Sequence, residues 1–382
     1  MLVRLSLAML CLTTALPAAP VDRLLEQIKG VGGQGEGHAA AHQAVRQLSA
    51  GDVDSLLPIL NASNDANPLA VNWLRGAFEA IASRALRSGG TLPQQELEAF
   101  VRDTDNAPRI RRLAYEWLVK VDPEAPNRMI PGMLDDPSPE MRRDAVARII
   151  DAARQAESAG EPDAAGKTWR TALANAVDRD QVDTIAAALK EHGEEVSLIE
   201  HFGFLMEWRL IGPFDNKDMQ GFDVAYPPEE ELKFDARYTS SYWGGTDGPV
   251  TWKACESQKS DGLVDIAELL HNHKGSVVYA ATDFLADRAQ PVEFRLSTSN
   301  AWKLWLNGEL LFAREEYHRG MRFDQYRVPA SLRPGRNVII LKVLQNEQEQ
   351  DWAQDYGFQF RVTDLAGRAV RESADRRAAS AP

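Results

Sequence analysis

The segment "AREEYHRGMRFDQY" (313–326) gathers Arg314, Glu315, Glu316, Tyr317, His318, Arg319, Asp324 and Tyr326 in one polar stretch. Such residues suit a sugar, whose ring stacks on an aromatic face while guanidinium and carboxylate groups bond its hydroxyls. The same residues could instead form a hydrophilic connection held by its own salt bridges. Loops carry function more often than cores, which favours looking here first. A second stretch, "QNEQEQDWAQDYGF" (345–358), offers Gln345, Asn346, Glu347, Trp352 and Tyr356. Trp352 in so polar a setting is either an exposed stacking platform or a plug over the end of a domain. The candidate ligand-binding set is Arg314, Glu316, Tyr317, His318, Arg319, Asn346, Trp352 and Tyr356.

Metal and covalent chemistry find less support. Asp215, Asp218 and Asp223 cluster around a glycine turn in "DNKDMQGFD", and calcium takes six to eight oxygens. The spacing is not that of an EF-hand, and turn acids in solvent explain it as well. His38 and His42 lie one helical turn apart, and His271 and His273 form His-x-His, but neither pair has an evident third ligand. No cofactor is expected beyond a structural calcium ion. Glu315 and Glu316 are adjacent, so in a strand their side chains diverge and cannot flank a glycosidic bond. No Gly-x-Ser-x-Gly elbow, His-Glu-x-x-His or zinc-type cysteine pair is present. The expected function is therefore binding without catalysis. A glycan hydrolase with its site at one end of the β-domain is the alternative, and a purely structural envelope component is a third reading.

These loops must be carried by regular elements. From about Val21 to Ile199 the chain is rich in Ala, Leu, Arg and Glu, with apolar residues at helical spacing, as in "LRGAFEAIASRAL". A weak repeat opens with Asp-x-x-Pro at Asp65/Pro68, Asp105/Pro108 and Asp136/Pro139, with starts 40 and 31 residues apart. Asp can cap a helix N-terminus and Pro is tolerated in the first turn. Arg111, Arg112, Arg142 and Arg143 are expected to serve as links between repeats, and "RQAESAGEPDAAG" (154–166) as a loop. Near Phe204 the period changes to two. "EWRLIGPFDN" reads as a strand ended by Gly212-Pro213, followed by the strands "SVVYAATDFL", "VEFRLSTSNAWKLWLNGELLF", "NVIILKVLQ" and "YGFQFRVTD". Trp302, Leu304 and Leu306 share one strand face and Lys303 and Trp305 the other, and Asn307-Gly308 signals a hairpin.

Two resemblances follow. "LDDPSPEMRRDAVARI" resembles a HEAT repeat, with Met141 where a Val usually stands; a generic helical bundle is the alternative. "EWRLIGPFDN", "YPPEEE", "AWKLWLNGELL", "LRPGRNVIILKVLQNE" and "FQFRVTDLAG", in that order, are similar to the jelly-roll domains of the galactose-binding-like class. Helical repeats joined to such a module resemble a family of secreted bacterial proteins. The resemblance implies a jelly roll that often binds carbohydrate and often holds a structural calcium ion, though a fold implies no function by itself.

The expected organisation is multidomain α + β: a signal peptide over 1–19, a HEAT-like α-solenoid over 20–203, an antiparallel β-sandwich (jelly roll) over 204–370 and a disordered tail over 371–382. A chain of 382 residues exceeds a single compact core. "MLVRLSLAMLCLTTALPAAP" has an early cation, an apolar run too short to span a bilayer and small residues at Ala18 and Ala19, which points to export to the periplasm or the extracellular space. With that leader removed no membrane span remains, and Cys255 is the single thiol, expected as a small core residue. A net charge of −13 argues against nucleic acid and anionic membranes. The expected partners are a protein on the helical repeats and a polysaccharide on the sandwich.

Overall fold

The structure is a computed structural model and describes residues 20–246 and 248–373. The leader expected over 1–19 lies outside the described residues, as does the tail from 374 onward. The chain is mixed α + β and divides into two compact units after Ala145.

Among the described residues the first unit is built of helices: Val21–Lys29, His38–Ser49, Leu56–Ser63, Pro68–Arg87, Gln94–Arg102, Pro108–Val121, Ala125–Met129 and the start of Pro139–Ser158. Each Asp-x-x-Pro signal opens a helix at its proline, where the missing N–H has no partner to lose. The aspartates are not the caps. Asn67, directly before Pro68, accepts from the N–H groups of Leu69 and Ala70, while Asp65 pairs with Lys29 at 3.0 Å. A residue three places ahead of the proline stands outside the cap position. Two of the four arginines link motifs: buried Arg111 makes a bidentate pair with Asp136 (2.8 and 2.7 Å) and also bonds the Val101 carbonyl. Arg112 bonds Asp144 at 2.5 Å, which also ties successive motifs together, whereas Arg142 bonds the Asp136 carbonyl of its own motif at 2.7 Å. His38 and His42 set their ring edges against Trp73. Leu74, Phe78, Ile81, Leu97, Leu113 and Leu118 centre one apolar core.

The second unit opens with the rest of Pro139–Ser158, then Pro162–Asn175, Arg179–Glu191 and Leu198–Phe202. Only 159–161 separate the first two of these helices, so the loop expected over 154–166 is mostly helix. Ala and Glu there favour the helix, and Pro162 starts the next one. The strands are β1 (Glu207–Asp215), β2 (Arg237–Tyr238), β3 (Val250–Thr251), β4 (Lys253–Glu256), β5 (Leu263–Asp265), β6 (Ser276–Ala286), β7 (Gln290–Ser297), β8 (Ala301–Leu306), β9 (Glu309–Arg314), β10 (Tyr326–Leu332), β11 (Gly335–Gln345) and β12 (Gly357–Thr363).

The strands form two open antiparallel sheets, ordered β4-β1-β6-β11-β8-β9 and β10-β7-β12-β5, plus the small pair β2-β3. Trp208, Phe284, Trp302, Leu304 and Leu341 from the larger sheet meet Phe294, Leu296, Phe358 and Phe360 from the smaller in one core. The Asn307-Gly308 turn, with both residues in the left-handed region, closes the β8–β9 hairpin. Trp302 fills the core, whereas Lys303 and Trp305 point to the other face. β1 does not stop at Gly212-Pro213; its register slips there, and pairing with β6 resumes at Phe214. A proline inside a strand is tolerated at such a bulge.

The larger sheet's other face carries a second apolar cluster. Tyr226, Phe222, Phe234 and Trp252, from the chain between β1 and β4, pack there against Ile211, Phe214, Tyr279 and Ile340. Cys255 on β4 is half-buried against the main core, and burial pushes its thiol up, as for a packing residue rather than a nucleophile. Arg371 bonds the Glu200 carbonyl and Ser373 the Leu285 carbonyl, so the disorder expected over 371–382 does not hold for its first three residues.

Candidate functional site

Five segments converge at one end of the two sheets: the ends of β1 and β11, the start of β6, the β7–β8 turn and the loop after β9. Buried amides hold them together. Asn216 Nδ2 donates to the Gln345 carbonyl (3.0 Å) and to the Tyr317 hydroxyl (3.2 Å). Asn300 Nδ2 donates to Gln345 Oε1 and to the Asp355 carbonyl, both at 3.2 Å. Gln345 Nε2 and Lys274 Nζ both donate to the Ala353 carbonyl. Buried polar groups satisfied in this way rigidify a structure rather than weaken it.

On this floor stands His318. Its backbone is in the left-handed region and its N–H donates to the Ser299 carbonyl at 2.6 Å. His318 Nε2 lies 2.7 Å from Asn346 Oδ1, which also accepts the Gln348 N–H. The amide oxygen can only accept, so Nε2 carries the proton. Nδ1 is buried and, among the described residues, has no hydrogen-bond partner. The Trp352 ring stands at 87° to the His318 ring, centroids 5.2 Å apart, and Trp352 is 60% exposed. The short turn Asp351–Ala353 carries it outward because Ala353 beneath is buried and pinned by its carbonyl.

The other candidates separate into groups. Arg314, Glu316 and Arg319 form a small surface ion cluster, with Arg314 to Glu316 at 2.7 Å and Arg319 to Glu316 at 3.5 Å. The hydrogen bond from Arg314 holds the Glu316 carboxyl below its usual range. Tyr317 turns inward against the second apolar cluster, and burial pushes its hydroxyl up to about 12. Asn346 is buried and holds His318. Tyr356 lies in the main core, its hydroxyl shared between the Ser276 and Val343 carbonyls, so it presents no surface to a ligand. Asp324 is likewise internal, gripped by Arg361 and Arg295. Tyr326 packs on Trp302. The set therefore yields one exposed ring, Trp352, braced by His318 and Asn346, with charged Arg314, Glu316 and Arg319 as a neighbouring surface.

Of the three aspartates expected as calcium candidates, Asp215 Oδ1 accepts the Trp243 backbone N–H and exposed Asp223 pairs with Lys303, while the backbone N–H of Asp218 donates to Glu347. Among the described residues no group of three or more His, Cys, Asp or Glu is gathered as a metal ion would need. His271 and His273 have rings 4.8 Å apart beside Tyr242.

An open concavity at this end is lined by Met219, Asn346, Glu347, Gln348, Glu349 and Gln350. The sequence reading did not single out Trp243, 51% exposed, which lies near it. The signal was available: "SSYWGGTDGP" puts a large aromatic in a small polar loop, the reasoning that singled out Trp352. Asn216 and Asn300, which fix the floor, carry no such signal, since only the fold brings them together.

No protein-family profile matches the chain, and no curated protein sequence does. Some solved structures are similar in part. A β-glucosidase from Kluyveromyces marxianus in complex with glucose is 12% identical, over 45% of this chain and 18% of that one, with a TM-score of 0.25. A GH31 α-xylosidase from Xanthomonas citri is 11% identical over 31% of this chain and 15% of that one, TM-score 0.19. The PA14 domain of the antifreeze protein MpAFP is 12% identical over 25% of this chain and 53% of that domain, TM-score 0.16. The chain thus spans less than a fifth of either enzyme and about half of the PA14 domain. Likenesses this distant carry no argument about function.

Proposed function

We propose that the chain is an exported, non-catalytic binding protein that holds a carbohydrate at the loop end of its β-strand unit, while the helical unit serves a protein partner. The observation that carries this is Trp352, exposed and braced by His318 beside a concavity of amides and carboxylates. A sugar has an apolar ring face and a rim of hydroxyls. It is held where an aromatic platform stands beside fixed donors and acceptors. Gln348, Gln350 and Glu347 supply them, and Asn346 and His318 are positioning residues. Glu316, beside them, is bound to Arg314, which suits it to accept hydrogen bonds rather than to deliver a proton.

The test is retention of the full chain on a panel of insoluble neutral and acidic polysaccharides, with reducing sugar followed in the supernatant. Retention lost on Trp352→Ala and weakened on His318→Ala, with no sugar released, supports the reading. Release of sugar would favour a hydrolase instead, and no retention on any polymer would sink it.

A further inference from the structure

Trp243 is 51% exposed, and several neighbours fix its place. Its backbone N–H donates to Asp215 Oδ1 at 3.2 Å, and Lys217 Nζ lies 5.8 Å from its ring centroid. The neighbouring Tyr242 ring is 5.7 Å away, with its hydroxyl on the Lys274 carbonyl. The indole Nε1 crosses directly over Gly275, where a Cβ would come within 2.7 Å of it. That same Cβ would meet Glu347 Cγ at 3.0 Å, so Trp243 and Glu347 meet on one glycine. Gly275 in turn donates its N–H to the Asn346 carbonyl.

Glu347 and Asn346 both line the concavity, and Asn346 holds His318 and, through it, Trp352. The two exposed tryptophans therefore stand at the two ends of one run of contacts, Gly275, Glu347, Asn346 and His318. Single exposed aromatics are ordinary on a protein surface; two braced on one polar run are not. The residues lining the concavity beside this run include Glu347 and Glu349 and no lysine or arginine, and among the described residues the one cation set against either ring is Lys217 at Trp243. A ligand carrying carboxylates or sulfates would meet like charge there.

We infer that Trp243 and Trp352 are two platforms of one extended site, whose ligand is a neutral oligosaccharide several sugars long rather than a single sugar or a chain end. This rests on the carbohydrate reading above and names its substrate class. Two separated stacking surfaces joined by hydrogen-bonding side chains gain affinity only from a chain long enough to reach both.

The experiment is calorimetric titration of the full chain with cello-, xylo-, manno- and laminari-oligosaccharides from disaccharide to hexasaccharide, and with oligogalacturonates as the acidic series. Affinity for one neutral series is expected to rise with length by about tenfold, the scale of one further aromatic contact. Trp243→Ala should abolish the rise with length, Trp243→Phe should keep most of it, and Trp352→Ala should lower affinity at every length. If Trp352→Ala abolishes binding but Trp243→Ala leaves the hexasaccharide unchanged, the extended site falls and the carbohydrate reading stands. Preference for the acidic series would overturn the neutral assignment. Binding of no oligosaccharide would overturn both.

Discussion

Lys342 on β11 is fully buried, yet each of its donors is matched: the Phe222 carbonyl at 3.0 Å, the Val224 carbonyl at 2.7 Å and Glu229 Oε1 at 2.9 Å. The Tyr226 and Tyr279 rings lie 5.3 and 5.7 Å from the ammonium. Burial pushes the amine down, and Glu229 offsets part of that effect. Lys342 thus ties residues 222–229 to the sheet. Removing one member of such a buried pair leaves the other uncompensated, so Lys342→Met should cost about 3 kcal/mol in urea denaturation. Adding Glu229→Gln to Lys342→Met should recover part of the loss. A double variant as unstable as the sum of the singles would show that the two do not act as a pair. Gly275 makes a second demand at this scale. Its backbone sits at φ +59°, and its Cβ position is occupied by Trp243 and Glu347. Gly275→Ala should cost about 1–2 kcal/mol from backbone strain alone. It should also weaken long oligosaccharides more than short ones, as titration of this variant would reveal.

Elements are locked by a different group, the buried carboxylate of Asp324. It takes Arg361 Nε at 2.7 Å and Nη2 at 2.6 Å, and Arg295 Nη1 at 2.5 Å, and so joins β12, β7 and the loop after β9. Arg361 also reaches the Phe202 carbonyl, which ties the last helix before β1 to the sheet. Burial pushes the Asp324 carboxyl up, but the hydrogen bonds and charges of Arg361 and Arg295 outweigh it and hold the carboxyl below its ordinary value of 3.8. A carboxyl with a lower pKa folded than unfolded stabilises fully above the unfolded value, and the contribution is lost as pH falls through the folded one. Asp324→Asn should therefore lower stability near pH 7 by about 3 kcal/mol, leaving the buried Arg361 guanidinium without its carboxylate while Arg295 keeps Glu293, and flatten the loss seen below about pH 4. Denaturation midpoints across pH would check this; an acid limb as steep in the variant would refute it. From the sequence Asp324 read as part of a ligand loop, because nothing local says that two arginines 29 and 37 residues away will reach it. β10 was hidden for a related reason: Pro329 argues against a strand, and only its edge place in the order β10-β7-β12-β5 makes proline acceptable. The β8–β9 hairpin was legible because its turn chemistry and its period are both local.

At the scale of the whole chain, the change from helical to strand periodicity near Phe204 was legible, and it corresponds to a real change of element. The division into compact units falls elsewhere, after Ala145 and inside the helix Pro139–Ser158. Periodicity reports what an element is, whereas a unit boundary depends on which elements share contacts, and that is not local information. Separate cores have a thermodynamic consequence. Phe78 belongs to the core of the first unit and Phe294 to the core between the two sheets of the second. Each ring is fully buried, so Phe→Ala at either should cost about 3–5 kcal/mol. A chain with separate cores need not unfold as one two-state body. Differential scanning calorimetry of the full chain should resolve two transitions, one lowered by Phe78→Ala and the other by Phe294→Ala. Below the first transition, Phe78→Ala should still be retained on the polysaccharide that holds the parent chain, because Trp243, His318 and Trp352 all belong to the second unit. A single transition lowered equally by both substitutions would mean that the cores melt together, and the sugar site would then depend on the stability of the helices as well as on its own loops.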